Sequence, residues 1–84
     1  MGYFVYIVEC SDKTLYTGST NNLEKRLVEH NTKGNGAHYT KIRRPVECVY
    51  SEECGTFAEA RAREAEIKRF SREGKQKLIH QENI

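Results

Sequence analysis

Two tyrosine triplets near the start of the chain are the residues best suited to do chemistry. The triplets are Val5-Tyr6-Ile7 and Tyr16-Thr17-Gly18, and Arg26 follows the second after eight residues. Each triplet alone is typical of a half-buried strand, because tyrosine is a good strand former. The phenols and the guanidinium together, with a histidine and a glutamate farther along, favour a small site that cleaves phosphodiester bonds.

Arg26 and His30 lie four residues apart in a predicted helix, so their side chains project from the same side of it. Each follows an apolar residue by three positions, which places both at the margin of the buried side. This arrangement suits a phosphate clamp beside a group that transfers or donates a proton. The alternative is an arginine on the helix surface and a histidine that favours the helix dipole, and the spacing taken alone favours that alternative.

Glu64 is the most unusual residue in the second half of the chain. It shares one side of a predicted helix with three apolar residues, Phe57, Ala60 and Ile67. A carboxylate that points toward a packed side needs a partner, because desolvating it is costly. A divalent cation such as Mg²⁺ is one such partner, since it is commonly held by one or two carboxylates with water and phosphate oxygens. The other interpretation is an ion pair with Arg61 or Lys68 on the same helix, and the sequence does not separate the two.

The elements that must position these residues are short and follow a simple order. Three strands are predicted, over Tyr3–Glu9, Leu15–Ser19 and Val46–Ser51. Three helices are predicted: one that ends at about Asn31, a long one from its cap at Thr56 to about Arg72, and a short one over Lys75–His80 after an interruption at Gly74. The order ββα–β–αα predicts one α+β domain over residues 1–84, a small three-stranded antiparallel sheet flanked by helices.

The first two strands carry a geometric requirement. With a two- or four-residue turn centred on Asp12-Lys13, Tyr6 would lie opposite Ser19, and Tyr16 would point to the other face of the sheet. Both tyrosines can reach one site only if the hairpin has an odd-length loop or a bulge.

Composition limits the class of protein. With 84 residues there is room for one domain and one modest core. No run approaches the roughly 18 apolar residues of a membrane span. An odd number of cysteines without a CxxC pair (Cys10, Cys48 and Cys54) predicts reduced thiols rather than disulfides or a zinc ribbon. We therefore expect a cytoplasmic protein.

The net charge of +2 is small but unevenly distributed, because residues 41–77 hold ten basic and seven acidic side chains. Such clusters could contact a phosphate backbone, or they could be a solvated face laced with ion pairs. The candidate contacts to nucleic acid are Ser19, His38, Tyr39, Lys41, Arg43, Arg44, Lys68 and Arg72.

The triplets, the segment from Asn22 to Arg26, His30 and Glu64 together resemble the GIY-YIG endonuclease domain, and most of all its small stand-alone bacterial members. The resemblance spans nearly the whole chain and implies a three-stranded antiparallel sheet flanked by helices. It also implies hydrolysis of phosphodiester bonds with one divalent ion, Mg²⁺ or Mn²⁺, held by Glu64.

The same resemblance implies a role for each motif residue. Tyr6 and Tyr16 would line the site, one of them as general base or as the group that orients the attacking water. Arg26 would bind the scissile phosphate and His30 would assist at the same face. Gly18 belongs to the motif and also suits the passage from strand to helix.

Three functions follow as hypotheses. The first is a metal-dependent endonuclease that acts on DNA, including branched or damaged DNA, in repair or recombination. The second is a nucleic-acid-binding module that kept the fold with little or no catalysis. The third is a protein-interaction module, which the low net charge favours. The sequence does not indicate an oligomeric state.

Overall fold

The computed structural model describes residues 2–31 and 43–81 and confirms the predicted α+β architecture. The strands are β1 (Tyr3–Glu9), β2 (Leu15–Thr20) and β3 (Glu47–Cys54), and the helices are α1 (Leu23–Asn31), α2 (Phe57–Lys68) and α3 (Arg72–Gln81). Both strand pairs are antiparallel, and β1 lies in the centre of the sheet, in the order β2-β1-β3. Strands β2 and β3 are therefore the edges.

The β1–β2 hairpin has the odd-length loop that the tyrosines require. The Cys10 N–H donates to the Thr14 carbonyl at 2.9 Å, and Lys13 takes a left-handed conformation with φ of 71°. These features define a three-residue turn over residues 11–13, of the type in which the third residue is left-handed. Tyr6 consequently lies opposite Gly18, and Val8 lies opposite Tyr16. Opposed residues share a face, so both tyrosines point to the same side of the sheet.

Helices cover both faces of the sheet, and each face has its own apolar cluster. The cluster on the α2 and α3 face has as its buried members Val5, Ile7, Ala60 and Ile67. The cluster on the α1 face has as its buried members Tyr6, Val8, Cys10 and Val46, with Leu23 and Leu27 of α1 packed against them. Within residues 2–31 and 43–81, no helix is long and apolar enough to cross a membrane.

The start of β3 is fixed to the end of α1 by one side chain. The Asn31 amide accepts a hydrogen bond from the Val46 N–H at 2.7 Å and donates one to the Val46 carbonyl at 3.1 Å. These two bonds satisfy the backbone N–H and carbonyl of Val46 as a neighbouring strand would. The preceding residue, Pro45, has no N–H to donate. Strand β3 then runs to Cys54, which is longer than the predicted Val46–Ser51.

The predicted boundary between the last two helices is wrong. Helix α2 begins with the predicted capping box of Thr56 and Glu59 but ends at Lys68, not near Arg72. Ser71 explains the difference, because its hydroxyl accepts a hydrogen bond from the Gly74 N–H at 3.1 Å and so caps α3. Gly74 therefore lies in the first turn of α3 and does not interrupt the chain.

Candidate functional site

Tyr6 is the centre of a buried polar cluster on the α1 face. Its side chain is 1% exposed, and its hydroxyl lies 2.7 Å from Nε2 of His30, which is fully buried. The phenol crosses β2 at Gly18, where a Cβ atom would lie only 2.6 Å from the Tyr6 oxygen. The glycine of the second triplet is therefore needed for space, because any larger residue would collide with a phenol that burial and a hydrogen bond hold in place.

The cluster has a defined protonation pattern. Burial, with the nearby Arg26 charge, lowers the pKa of His30 from 6.5 to about 4, so its imidazole is neutral near pH 7. Burial raises the pKa of Tyr6 to about 12, although the hydrogen bond from Arg26 opposes this, so the phenol keeps its proton. This pattern suits a Tyr6 hydroxyl that donates to the neutral imidazole while its oxygen faces the nearby Arg26 charge. His30 is thus a buried partner of Tyr6. It lies in the last turn of α1, but a neutral imidazole does not act there as the cation that would favour the helix dipole.

Arg26 lies at the edge of this cluster. Its guanidinium donates to Glu29 Oε1 at 3.0 Å and lies near a second acceptor, the Tyr6 hydroxyl. Burial opposes the charge of Arg26, but these two acceptors outweigh it and raise the pKa of the guanidinium above its ordinary value. The side chain is 28% exposed, so it remains accessible to a phosphate group.

Tyr16 completes the α1 side of the site. The centroid of its ring lies 5.5 Å from the centroid of the His30 ring. The centroid of the Tyr6 ring lies 5.7 Å from the same His30 centroid. The imidazole therefore contacts both motif tyrosines, each in an edge-on arrangement. Tyr16 is half-buried, whereas Tyr6 is closed off from solvent.

Glu64 approaches from the other face of the sheet. The carboxylate is 9% exposed, and both of its oxygens have partners. Oε1 accepts from the Ser19 hydroxyl at 2.6 Å, and Oε2 pairs with the Lys68 ammonium at 2.7 Å. Burial favours the neutral acid, but these two donors outweigh it and hold the pKa of Glu64 below its ordinary range. The ion pair with Lys68 is thus one of the two interpretations that the sequence left open.

The two groups of residues meet at the C-terminal end of edge strand β2. Gly18 and Ser19 are successive residues, so they direct the two groups to opposite faces. Tyr6 lies against Gly18, and Glu64 is bonded to Ser19. The Glu64 charge also contributes to the raised pKa of Tyr6, although less than burial and Arg26 affect it, so the groups are within electrostatic reach of each other. This strand end therefore lies between the two groups.

Glu64 and Ser19 are the residues to test as ligands for a divalent metal ion. Among the described residues, no group of three or more histidine, cysteine, aspartate or glutamate side chains is arranged to hold a metal. A single carboxylate still suits Mg²⁺, which takes most of its ligands from water and from substrate phosphate. Glu64 would supply that carboxylate, and Ser19 would supply a neighbouring hydroxyl. Lys68 would have to leave Oε2 when a metal binds there.

Several predicted nucleic-acid contacts are not near this strand end. Arg43 pairs with Asp12 at 3.0 Å, and Arg72 donates to the Lys13 carbonyl at 2.9 Å, so both lie at the β1–β2 turn. That turn is roughly 20 Å from Ser19 along the strand. Arg44 is half-buried, and His38, Tyr39 and Lys41 lie outside the described residues. Of the predicted contacts that fall within the described residues, Ser19 and Lys68 lie beside Glu64, and both bind its carboxylate.

Two supporting contacts were not predicted from the sequence. Glu29 pairs with Arg26 across three helix positions, a spacing that could have indicated the pair. Asn31 fixes the end of α1 to Val46, and no sequence pattern indicates a bond between two segments fifteen residues apart.

An open cavity of about 580 Å³ lies elsewhere, between α2 and α3. Its lining includes Arg63, Phe70 and Leu78 and none of the predicted catalytic residues.

Comparison with known proteins identifies the fold and the motif. The GIY-YIG catalytic domain matches residues 2–78. A UPF0213 protein of Staphylococcus saprophyticus is 56% identical over 77 residues, which cover 92% of this chain and 93% of that protein. A UPF0213 protein of Syntrophus aciditrophicus is 56% identical over 78 residues, which cover 93% of this chain and 90% of that protein.

Two solution NMR structures have the same fold. The UPF0213 protein of Bacillus halodurans has a TM-score of 0.60 at 38% identity and covers 94% of this chain and 83% of its own. A protein of E. faecalis has a TM-score of 0.66 at 33% identity and covers 99% of this chain and 88% of its own. The chain therefore belongs to the GIY-YIG family, and its relatives are small bacterial proteins designated UPF0213.

Proposed function

We propose that this protein is a divalent-metal-dependent endonuclease that hydrolyses DNA phosphodiester bonds, in repair or recombination. The observation that carries the proposal is the approach of Arg26 and Glu64 to one strand end from opposite faces of the sheet. At this strand end, the Arg26 guanidinium suits a phosphate group, and the Glu64 carboxylate suits the metal ion that accompanies the phosphate. The membership of a family named for a catalytic domain supports the same reaction.

Arg26 is the group that binds the scissile phosphate. Its guanidinium is charged at any physiological pH, is partly exposed, and is held in place by its ion pair with Glu29. A donor fixed in advance stabilises the charge that develops on phosphate oxygens in the transition state, because it need not reorganise as the reaction proceeds.

The two motif tyrosines have different roles in this proposal. Tyr6 is closed to solvent, keeps its proton and contacts both His30 and Arg26, so it positions those two side chains. Tyr16 is half-buried and lies beside the same imidazole. Of the two phenols, Tyr16 is therefore the one that can orient an attacking water molecule. His30 is neutral and buried, and it fixes the relative position of the two rings.

Glu64 is the residue that would hold the metal, with Ser19 as the group that orients its carboxylate. A bound Mg²⁺ or Mn²⁺ would supply Lewis-acid stabilisation of the phosphate. Lys68 pairs with the same carboxylate, so a metal held there would displace its ammonium, which could then contact a neighbouring phosphate.

The test is cleavage of labelled single-stranded, duplex and branched DNA with and without Mg²⁺ or Mn²⁺. The parent should cleave at least one substrate only with metal, and Glu64→Ala should abolish cleavage. Glu66→Ala is the matched control, because Glu66 lies on the same helix but is exposed and pairs with Arg63 at 2.9 Å. Cleavage that persists in Glu64→Ala would overturn the proposed metal site.

A second candidate is a nucleic-acid-binding module without turnover. The observation in its favour is that the Lys68 ammonium already neutralises Glu64 at 2.7 Å. Binding of DNA that weakens with salt, without cleavage of any substrate in either metal, would select this function.

A further inference from the structure

An exposed aromatic side chain stands at the start of α2. Phe57 is 57% exposed, although it is one of the larger apolar side chains of the protein. Its ring centroid lies 5.7 Å from that of Tyr3, with the planes at 60°, and the Arg61 guanidinium lies 5.9 Å from the same centroid. We propose that Phe57, supported by Tyr3 and Arg61, is a platform on which an unpaired base of the DNA substrate stacks.

The platform is aligned with the candidate metal site. Phe57, Arg61, Glu64 and Lys68 follow one another at intervals of four, three and four residues, so they form one stripe along α2. At a rise of about 1.5 Å per residue, Phe57 lies about 10 Å from Glu64 along the helix axis. That separation suits a nucleotide close to, but distinct from, the one whose phosphate is cleaved.

The charges of the stripe connect the platform to the site. Burial, Lys68 and Ser19 have the larger effects on the pKa of Glu64, and the Arg61 charge lowers it further. Arg61 is therefore near enough to act on the carboxylate while its guanidinium also lies by the Phe57 ring. Arg61 and Lys68 are both exposed and provide positive charge on either side of Glu64 along the stripe.

An unpaired strand is the occupant that this combination fits. Its backbone supplies negative charge for Arg61 and Lys68, and its bases have free faces that stack on an aromatic ring. A regular duplex supplies the same negative charge, but its bases already stack on each other and offer no free face to a side chain. The proposal rests on the proposed function and narrows it, because it assigns to the enzyme DNA that has an unpaired segment.

The experiment measures binding in the absence of divalent metal, so that cleavage does not interfere. Fluorescence anisotropy with a labelled single strand compares the parent with Phe57→Ala, Phe57→Trp and Val28→Ala. Stacking on an aromatic side chain is worth about 1–3 kcal/mol per base, so Phe57→Ala should weaken binding roughly 5-fold to 150-fold. Phe57→Trp should bind as tightly as the parent. Val28→Ala is the matched control, since Val28 is 64% exposed on α1, and it should leave binding unchanged.

Two further DNA ligands test whether Phe57 contacts the base. A single strand with abasic positions should bind the parent and Phe57→Ala equally, and the matching duplex should bind both within about twofold. Two results would overturn the platform. One is single-strand binding that is the same in Phe57→Ala and the parent. The other is a loss of affinity in Phe57→Ala that is as large for the abasic strand as for the normal strand. Thermal unfolding of each variant confirms that it is folded.

The binding test of Phe57 and the cleavage test of Glu64 can succeed or fail independently. Cleavage that depends on Glu64, combined with binding that ignores Phe57, would leave the nuclease standing and refute the platform. Single-strand binding that depends on Phe57, without any cleavage, would support the platform and refute the nuclease.

Discussion

The buried His30 imidazole makes a quantitative prediction about stability and pH. Its pKa is 6.5 in an unfolded chain and about 4 in the folded protein. Between these values the unfolded chain binds more protons than the folded one, so the free energy of unfolding rises with pH. The stabilising contribution is complete above pH 6.5 and is lost as the pH falls toward and through 4.

The size of the effect follows from the shift. Each unit of pKa corresponds to about 1.4 kcal/mol, so the whole shift is worth about 3 kcal/mol. Between pH 7 and pH 5 the linkage relation gives a loss of about 2 kcal/mol from this residue. Solvent does not screen this effect, because His30 has no exposed surface and its Nε2 atom is bonded to Tyr6.

The assay is urea unfolding at pH 7 and pH 5, followed by circular dichroism. His30→Gln keeps a polar side chain beside Tyr6 but cannot titrate, so it should lose about 2 kcal/mol less than the parent over this range. His80→Gln is the matched control, because His80 is exposed on α3, and it should lose as much as the parent. An equal loss in His30→Gln and the parent would refute the buried, neutral imidazole.

Three further predictions concern single side chains. Gly18→Ala should destabilise the protein by about 1–3 kcal/mol, because its Cβ would lie 2.6 Å from the Tyr6 oxygen; urea unfolding measures this. Thr17→Val should stabilise it by about 1 kcal/mol in the same assay, since the buried Thr17 hydroxyl has no hydrogen-bond partner among the described residues. Lys68→Met should tighten binding of Mn²⁺ in calorimetry, because the ammonium that competes for Glu64 is removed.

The Gly18 prediction has a control variant, and the Thr17 and Lys68 predictions each have a result that would contradict them. Gly74→Ala makes the same substitution where the nearest atom would lie 3.3 Å away, so its effect should be smaller than that of Gly18→Ala. An unchanged or lower stability of Thr17→Val would mean that the Thr17 hydroxyl is satisfied after all. Weaker Mn²⁺ binding in Lys68→Met would show that Lys68 assists the metal site rather than competing for it.

The fold was predictable because its signals are local and agree with one another. Strand β1 has the predicted bounds, since seven consecutive residues rich in aromatic and β-branched side chains leave little choice. The capping box of Thr56 and Glu59 fixed the start of α2. The predicted end of α2 is wrong because Ser71, which lies inside the predicted helix, caps the next helix instead.

The sequence indicated the residues that form the two groups at the end of β2 but not how they are arranged. The requirement that the hairpin be irregular came from side-chain alternation, and the pairing of Tyr6 with Gly18 confirms it. The burial of His30 and the choice of Lys68 as the partner of Glu64 depend on how the helices pack. No spacing in the sequence reports that packing, because it is set by contacts between distant segments.

The central claim is that Arg26 and Glu64 serve one site although they reach it from opposite faces of the sheet. The most direct measurement is the single-turnover cleavage rate of the parent, Arg26→Ala, Glu64→Gln and the double variant on one DNA substrate with saturating metal. Residues that act as a unit are strongly non-additive. Each single variant should be slower by about 100-fold or more, and the double variant should be within about tenfold of the slower single one. A double variant whose loss equals the product of the two single losses would contradict the claim.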